Sequence, residues 1–169
     1  MAYSFYDASV VMAKAALKSL DRMLTVAKEH PNASSFCTAS LIEDMKPLTF
    51  QVHYASFQAE SLAAKVSGEK EYLEPKEDLD DFEKMHLRIN QALQALDNTD
   101  KDTVNRLGET TSSFLRRDEE IQVPVKAVVG LMMMPNIYFH VSMAYAILRK
   151  EGVPLGKRDW SRAFVSDYV

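Results

Sequence analysis

The sequence predicts an all-α fold, an antiparallel four-helix bundle built as a single domain over residues 1–169. Three observations carry this. The 169 residues hold only five Gly and six Pro against nine Met and long Ala/Leu/Met-rich stretches, a balance that favours helix over a many-turned β sandwich. Four segments repeat apolar residues at helical spacing. Two short connections and one long one join them, which implies a bundle, and the length suffices for a sizeable core without disulfide or metal staples.

The first helix spans residues 7 to 30, with Val10, Leu17, Leu20 and Leu24 on one stripe and Pro31 just beyond it. His30, at its end, complements the negative pole of the helix. "PNASSFCTAS" reads as a loop or a short turn of helix. A second helix runs from Pro47, a first-turn proline, to Val66, and Gly68 ends it. "GEKEYLEPKEDLDD" is too charged for a core element and reads as a solvated connection. From Leu79 to Leu96, the spacing of Phe82, Met85, Ile89, Leu93 and Leu96 predicts the third helix. Residues 97–122 are polar and irregular, with short extended pieces at "SSFLRR" and "EIQVPV". The fourth helix begins near Pro124 and stops before Gly152, with Pro135 as a kink or restart.

A formal net charge of −4 argues against a nucleic-acid binder, since phosphate contacts need a basic surface. Cys37 is the only cysteine, so an intramolecular disulfide and a cysteine-rich zinc site are both excluded. It sits in a polar loop with no base in view and carries no catalytic expectation. The N-terminal segment lacks a basic n-region and a long apolar run, which points to a cytoplasmic protein without a membrane span.

Candidate chemistry concentrates in the fourth helix. Val129, Met133, Asn136, His140, Ala144 and Ile147 project onto one stripe, while Tyr138, Ser142, Tyr145 and Arg149 form a second. A helix apolar nearly all round is interior, so Asn136 and His140 must find partners there. His140 is the candidate general acid or base, with Asn136, Tyr138 and Tyr145 to orient or polarise a small substrate. On the second helix Thr49, His53, Ser56 and Glu60 lie between two apolar stripes, the pattern of a lined cavity, which makes His53, Ser56 and Glu60 candidate ligand-binding residues. His86 falls within the apolar face of the third helix. His53, His86 and His140 can therefore be read as weak metal candidates or as hydrogen-bonded core histidines. No two histidines stand four apart on one helix, and that favours a polar pocket with no metal cofactor. In "RKEGVPLGKRDW", Arg149, Lys157 and Arg158 form either an anion-binding loop or a helix end complemented by cations, with Trp160 packing the tail back on the bundle.

"MPNIYFHVSMAYAILRKEGVPLGKRDW", with "YDASV" near the N-terminus and "LIEDMKPLTFQV" at residues 41 to 52, resembles the family catalogued as domain of unknown function 1993, across nearly the whole chain. That family is grouped with the DinB/YfiT-like superfamily, so the resemblance implies a four-helix bundle, frequently dimeric. Many relatives hold a divalent metal with one histidine from helix two and an HxxxH pair from helix four, and several are transferases or isomerases. Carried over by position, the resemblance implies His53 as the helix-two ligand and His140 as one helix-four ligand. The residues four away from His140 are Asn136 and Ala144, so the usual triad is incomplete.

Three functions fit these patterns: a small-molecule-binding bundle acting as a metal-independent enzyme through His140, a divalent-metal-dependent transferase or isomerase, and a non-catalytic dimeric binding or structural protein. A small-molecule ligand and a homodimer are the expected partners.

Overall fold

The computed structural model describes residues 3–69, 72–116 and 119–165. Helix α1 covers residues 7–28, opening as a π-helical turn, Asp7–Val11, and continuing as Met12–Lys28. Its first turn is fastened by Asp7, whose carboxylate accepts from the Ser4 backbone N–H at 2.9 Å and the Ser4 hydroxyl at 2.6 Å. A 3-10 turn, Ala33–Thr38, buries Phe36 and leads to α2, Leu48–Ser67. Gly68 closes α2 with φ of 74°, a conformation that a side chain disfavours. Helix α3, Phe82–Asp97, starts at Asp81, whose carboxylate accepts from Lys84 N–H at 2.7 Å.

Within the polar stretch 97–122 the chain forms α4, Lys101–Gly108, which the sequence reading missed. Asp100 caps it by accepting from Thr103 N–H at 2.8 Å. A hairpin follows, β1 Thr111–Arg116 and β2 Glu119–Pro124, pairing Thr111 with Pro124 and Ser113 with Gln122. These strands stand where "SSFLRR" and "EIQVPV" suggested extended chain. Helix α5 then runs unbroken over Val125–Lys150. Its short α6, Lys157–Ser161, and a 3-10 turn pack back on α1.

Pro135 does not restart α5, which continues through it. The turn before it, Val129–Met133, is π-helical. A widened turn moves the preceding carbonyls away from the proline ring and lessens the loss of its missing N–H, so the helix passes through.

The four long helices form the bundle. Helix α2 packs on α5 and α3, and α1 packs on the same two, so α1 and α2 stand diagonally. The core is assembled from Leu17, Leu20 and Leu24 of α1, Val52, Ala55, Ala59 and Leu62 of α2, Met85 and Ile89 of α3, and Ile137, Val141 and Ile147 of α5. Ion pairs give the directions: Lys14 with Asp97, Asp21 with His86 and Lys28 with Glu83 make α1 and α3 antiparallel. His140 on Gln51 and Lys150 on the Ser40 carbonyl make α2 and α5 antiparallel. Glu60 meets Arg88 while Ser67 lies near Asn98, so α2 and α3 run parallel. The charged connection over residues 68–81 allows this, because fourteen residues reach up to ~45 Å, more than the ~30 Å of a twenty-residue helix.

By length and composition Val125–Lys150 is apolar enough to cross a membrane. Here Ile137, Val141, Ala144, Ile147 and Leu148 of that helix are buried in the bundle core.

Candidate functional site

Helical geometry divides α2 into three faces. Val52, Ala55, Ala59 and Leu62 fill the core. Phe50, Gln51 and Tyr54 turn towards α5, and His53, Ser56 and Glu60 turn towards α3 and the connection.

The first polar face meets His140, which is 8% exposed. Its Nδ1 lies 2.8 Å from Gln51 Oε1. Gln51 Nε2 donates to the Lys46 carbonyl at 3.0 Å, a bond only the amide nitrogen can make, so its oxygen faces the imidazole. An amide oxygen accepts only, and Nδ1 must therefore carry the proton. The lone pair is left on Nε2. Among the described residues that nitrogen has no partner, and it is not fully buried, so it touches solvent. Burial pushes the His140 pKa down to about 4, and the ring is neutral at pH 7. Around it stand Tyr54, Phe139 and Phe50, with ring centroids 4.7, 5.2 and 5.9 Å away. Gln51 was not singled out in the sequence, although a glutamine one position from an aromatic stripe was the available signal.

Asn136 is not the partner of His140. Its Nδ2 donates to the Met132 carbonyl at 3.2 Å, supporting the backbone where the π turn meets Pro135. Tyr138 faces away, packing its ring 6.3 Å from Trp160 and 6.0 Å from Phe164, and burial raises its phenol pKa to about 12. Tyr145 is half-buried against the core. Arg149 donates to the Val153 carbonyl at 2.9 Å, tying the end of α5 to the following loop, while Lys157 and Arg158 are exposed on α6. These three cations do not join His140.

The second polar face is more deeply buried. His53 is 1% exposed, with Nε2 3.3 Å from Glu74 Oε1 and Nδ1 unpartnered. Ser56 Oγ is likewise buried without a partner. Glu60 receives both terminal nitrogens of Arg88, at 2.6 and 2.5 Å, in a bidentate pair with each side chain 7% exposed. Arg88 was missed in the sequence, where it stood as a charge beside the buried Met85 and Ile89 positions. His86 lies elsewhere, with Nδ1 2.5 Å from Asp21 Oδ1 between α3 and α1.

The three histidines thus have three separate partners. Gln51 and His53 project about 200° apart on α2, and it is Gln51 that meets His140. The implied pairing of His53 with His140 as helix-two and helix-four ligands does not fit this geometry. Among the described residues no three His, Cys, Asp or Glu side chains converge as a ligand set.

Fold and site together define a four-helix bundle with a histidine–glutamine pair where α2 and α5 meet. The chain belongs to the family described as domain of unknown function (DUF1993), whose model matches residues 5–161. A DinB family member protein from Shewanella denitrificans is similar in structure, with a TM-score of 0.77 and 24% identity over 92% of this chain and 90% of that one. At that identity the likeness speaks to the fold. No curated protein matches the chain.

Proposed function

We propose that the chain is a small-molecule-binding bundle in which neutral His140 accepts, through Nε2, a hydrogen bond from a flat ligand resting against Phe50, Tyr54 and Phe139. The observation that carries this reading is the clamp on Gln51. With its amide held between the Lys46 carbonyl and His140 Nδ1, the imidazole is locked in one tautomer and offers a solvent-facing acceptor within an aromatic surround. Rings supply area at low entropic cost and the single polar atom fixes orientation, the usual division of labour in small-ligand sites.

A pKa of about 4 also decides between roles for the ring. A general base works best with a pKa near the operating pH, and His140 lies well below that. Binding and orientation through a neutral acceptor suit it better than proton abstraction from a resting ligand. The donor set around it is one imidazole, one amide and three aromatic rings, which does not favour a divalent ion.

The test is a ligand set of phenols, anilines and indoles, each beside its O- or N-methylated counterpart, followed by the side-chain NMR signals of His140. Donor-bearing members should shift the Nε2 resonance and lose at least ~10-fold in affinity on methylation, the order of one hydrogen bond. His140→Phe should abolish the difference. Equal binding of the methylated ligands, or binding unchanged in His140→Phe, would refute the reading.

A further inference from the structure

The clamp on Gln51 holds more than the imidazole. Its Nε2 donates to the Lys46 carbonyl at 3.0 Å while its Oε1 accepts from His140 Nδ1 at 2.8 Å, so one side-chain amide fixes the backbone of Lys46 relative to the His140 ring. The Lys46 side chain is exposed and lies over Phe50, with Nζ 5.2 Å from the ring centroid. The same Phe50 ring stands 5.9 Å from the imidazole. A flat molecule resting on Phe50 therefore has the unpartnered, solvent-facing Nε2 of a 92%-buried histidine and a cation within its reach.

That cation is uncommitted. Among the described residues Lys46 forms no ion pair, and its recorded neighbour is the face of Phe50. Glu43 and Asp44, just before it in the loop, are exposed and neither is ion-paired with it. Lys150, which reaches the same loop, is engaged: it donates to the Ser40 carbonyl at 2.8 Å and lies 3.5 Å from Glu151. An exposed ammonium over a ring is weakly held, and a carboxylate is the stronger partner for it. Helix α2 begins beside Lys46 without a side-chain cap, so the positive end of its dipole adds to the same sign.

We infer that the ligand of the His140 site is a flat aromatic acid, with its ring on Phe50, a hydroxyl or N–H donating to His140 Nε2, and its carboxylate on Lys46 Nζ. The inference rests on the reading of His140 as a neutral acceptor and adds to it the charge of the ligand and the residue that selects that charge. Lys46 sets specificity and takes no part in chemistry. The chain's net charge of −4 offers anions no general attraction, so preference for an acid reports a cation at the site itself.

The experiment is an NMR titration of the intact chain at neutral pH with para-hydroxyphenylacetate, its neutral amide, tyramine and para-methoxyphenylacetate. The hydroxy acid should bind ~3–5-fold tighter than the amide, the order of one exposed ion pair, with tyramine weakest and the margin shrinking in high salt. Lys46→Gln should erase the margin and Lys46→Glu should turn it in favour of tyramine, while Lys46→Arg keeps it. Each substitution preserves the backbone carbonyl that Gln51 holds, so the fold and the His140 Nδ1–H signal should persist. Acid and amide bound alike, or a margin unchanged in Lys46→Gln, would overturn the inference; in that case hydroxy probes that still outbind the methoxy acid would leave the His140 reading standing. A preference for acids that survives methylation of the hydroxyl would remove the His140 contact, and with it the ligand inferred here. Binding by none of the probes would overturn both.

Discussion

His140 makes stability depend on pH in a window where few other groups respond. Unfolded, the imidazole takes up a proton below its ordinary pKa of 6.5; folded, burial delays this to about 4. Between those values the unfolded state binds more protons, so stability must fall as pH falls, and the contribution is fully present only above 6.5. Going from pH 7.5 to 5, linkage gives a loss of about 2 kcal/mol for this one group. With a urea slope on the order of 2 kcal/mol/M, the midpoint should drop by about 1 M. Carboxylates also begin to titrate near pH 5, and the comparison that isolates His140 is with His140→Gln, whose amide donates to Gln51 and does not ionise. Wild type should therefore lose about 1 M more in midpoint than the variant over this range. Midpoints that fall in parallel would refute the buried neutral imidazole, as would an NMR titration of the His140 ring centred near 6.5. The same spectra should show the proton on Nδ1.

Three further perturbations separate structural from functional groups. Glu60→Gln should cost ~3–5 kcal/mol in a urea or thermal melt by leaving Arg88 without its charge partner, and most of that should return in the double variant Glu60→Leu/Arg88→Met. A double variant no more stable than the single one would show that the pair stabilises in its own right. Asn136→Ala should cost about 1 kcal/mol through the Met132 carbonyl and leave the His140 Nδ1–H signal in place; loss of that signal would mean the two side chains cooperate. Gly68→Ala should cost ~1 kcal/mol, since φ there is 74° and the new Cβ meets Leu107 Cδ1 at 3.2 Å. The expected homodimer would cover the exposed Leu131, Met132 and Phe139 of α5, and a monomer mass by light scattering at micromolar concentration would reject it.

What the sequence makes legible here is each helix's own periodicity and punctuation. Pro47, Gly68 and Gly152 mark ends because φ and N–H availability are local properties, and the boundaries of α2 and α5 fall beside them. Helix α4 escapes because eight residues with only Val104 and Gly108 buried offer too short a period to read. Asn136 and His140 share a stripe four residues apart and invite pairing, yet the π turn and Pro135 leave a carbonyl that takes the asparagine instead. A helical projection says which polar groups face inward. It is silent about which neighbour each will meet, because that depends on the order of helices round the bundle. With α2 lying between α5 and α3, its polar residues part company: Gln51 serves His140 on one side and Glu60 serves Arg88 on the other. His53 and His140, both buried, are thereby separated by the helix itself. A ligand set that needs both imidazoles would require α2 to rotate by a large fraction of a turn, withdrawing Val52, Ala55 and Ala59 from the core. The packing that stabilises the bundle is therefore also what keeps the histidine–glutamine pair and the Glu60–Arg88 pair on opposite sides of α2.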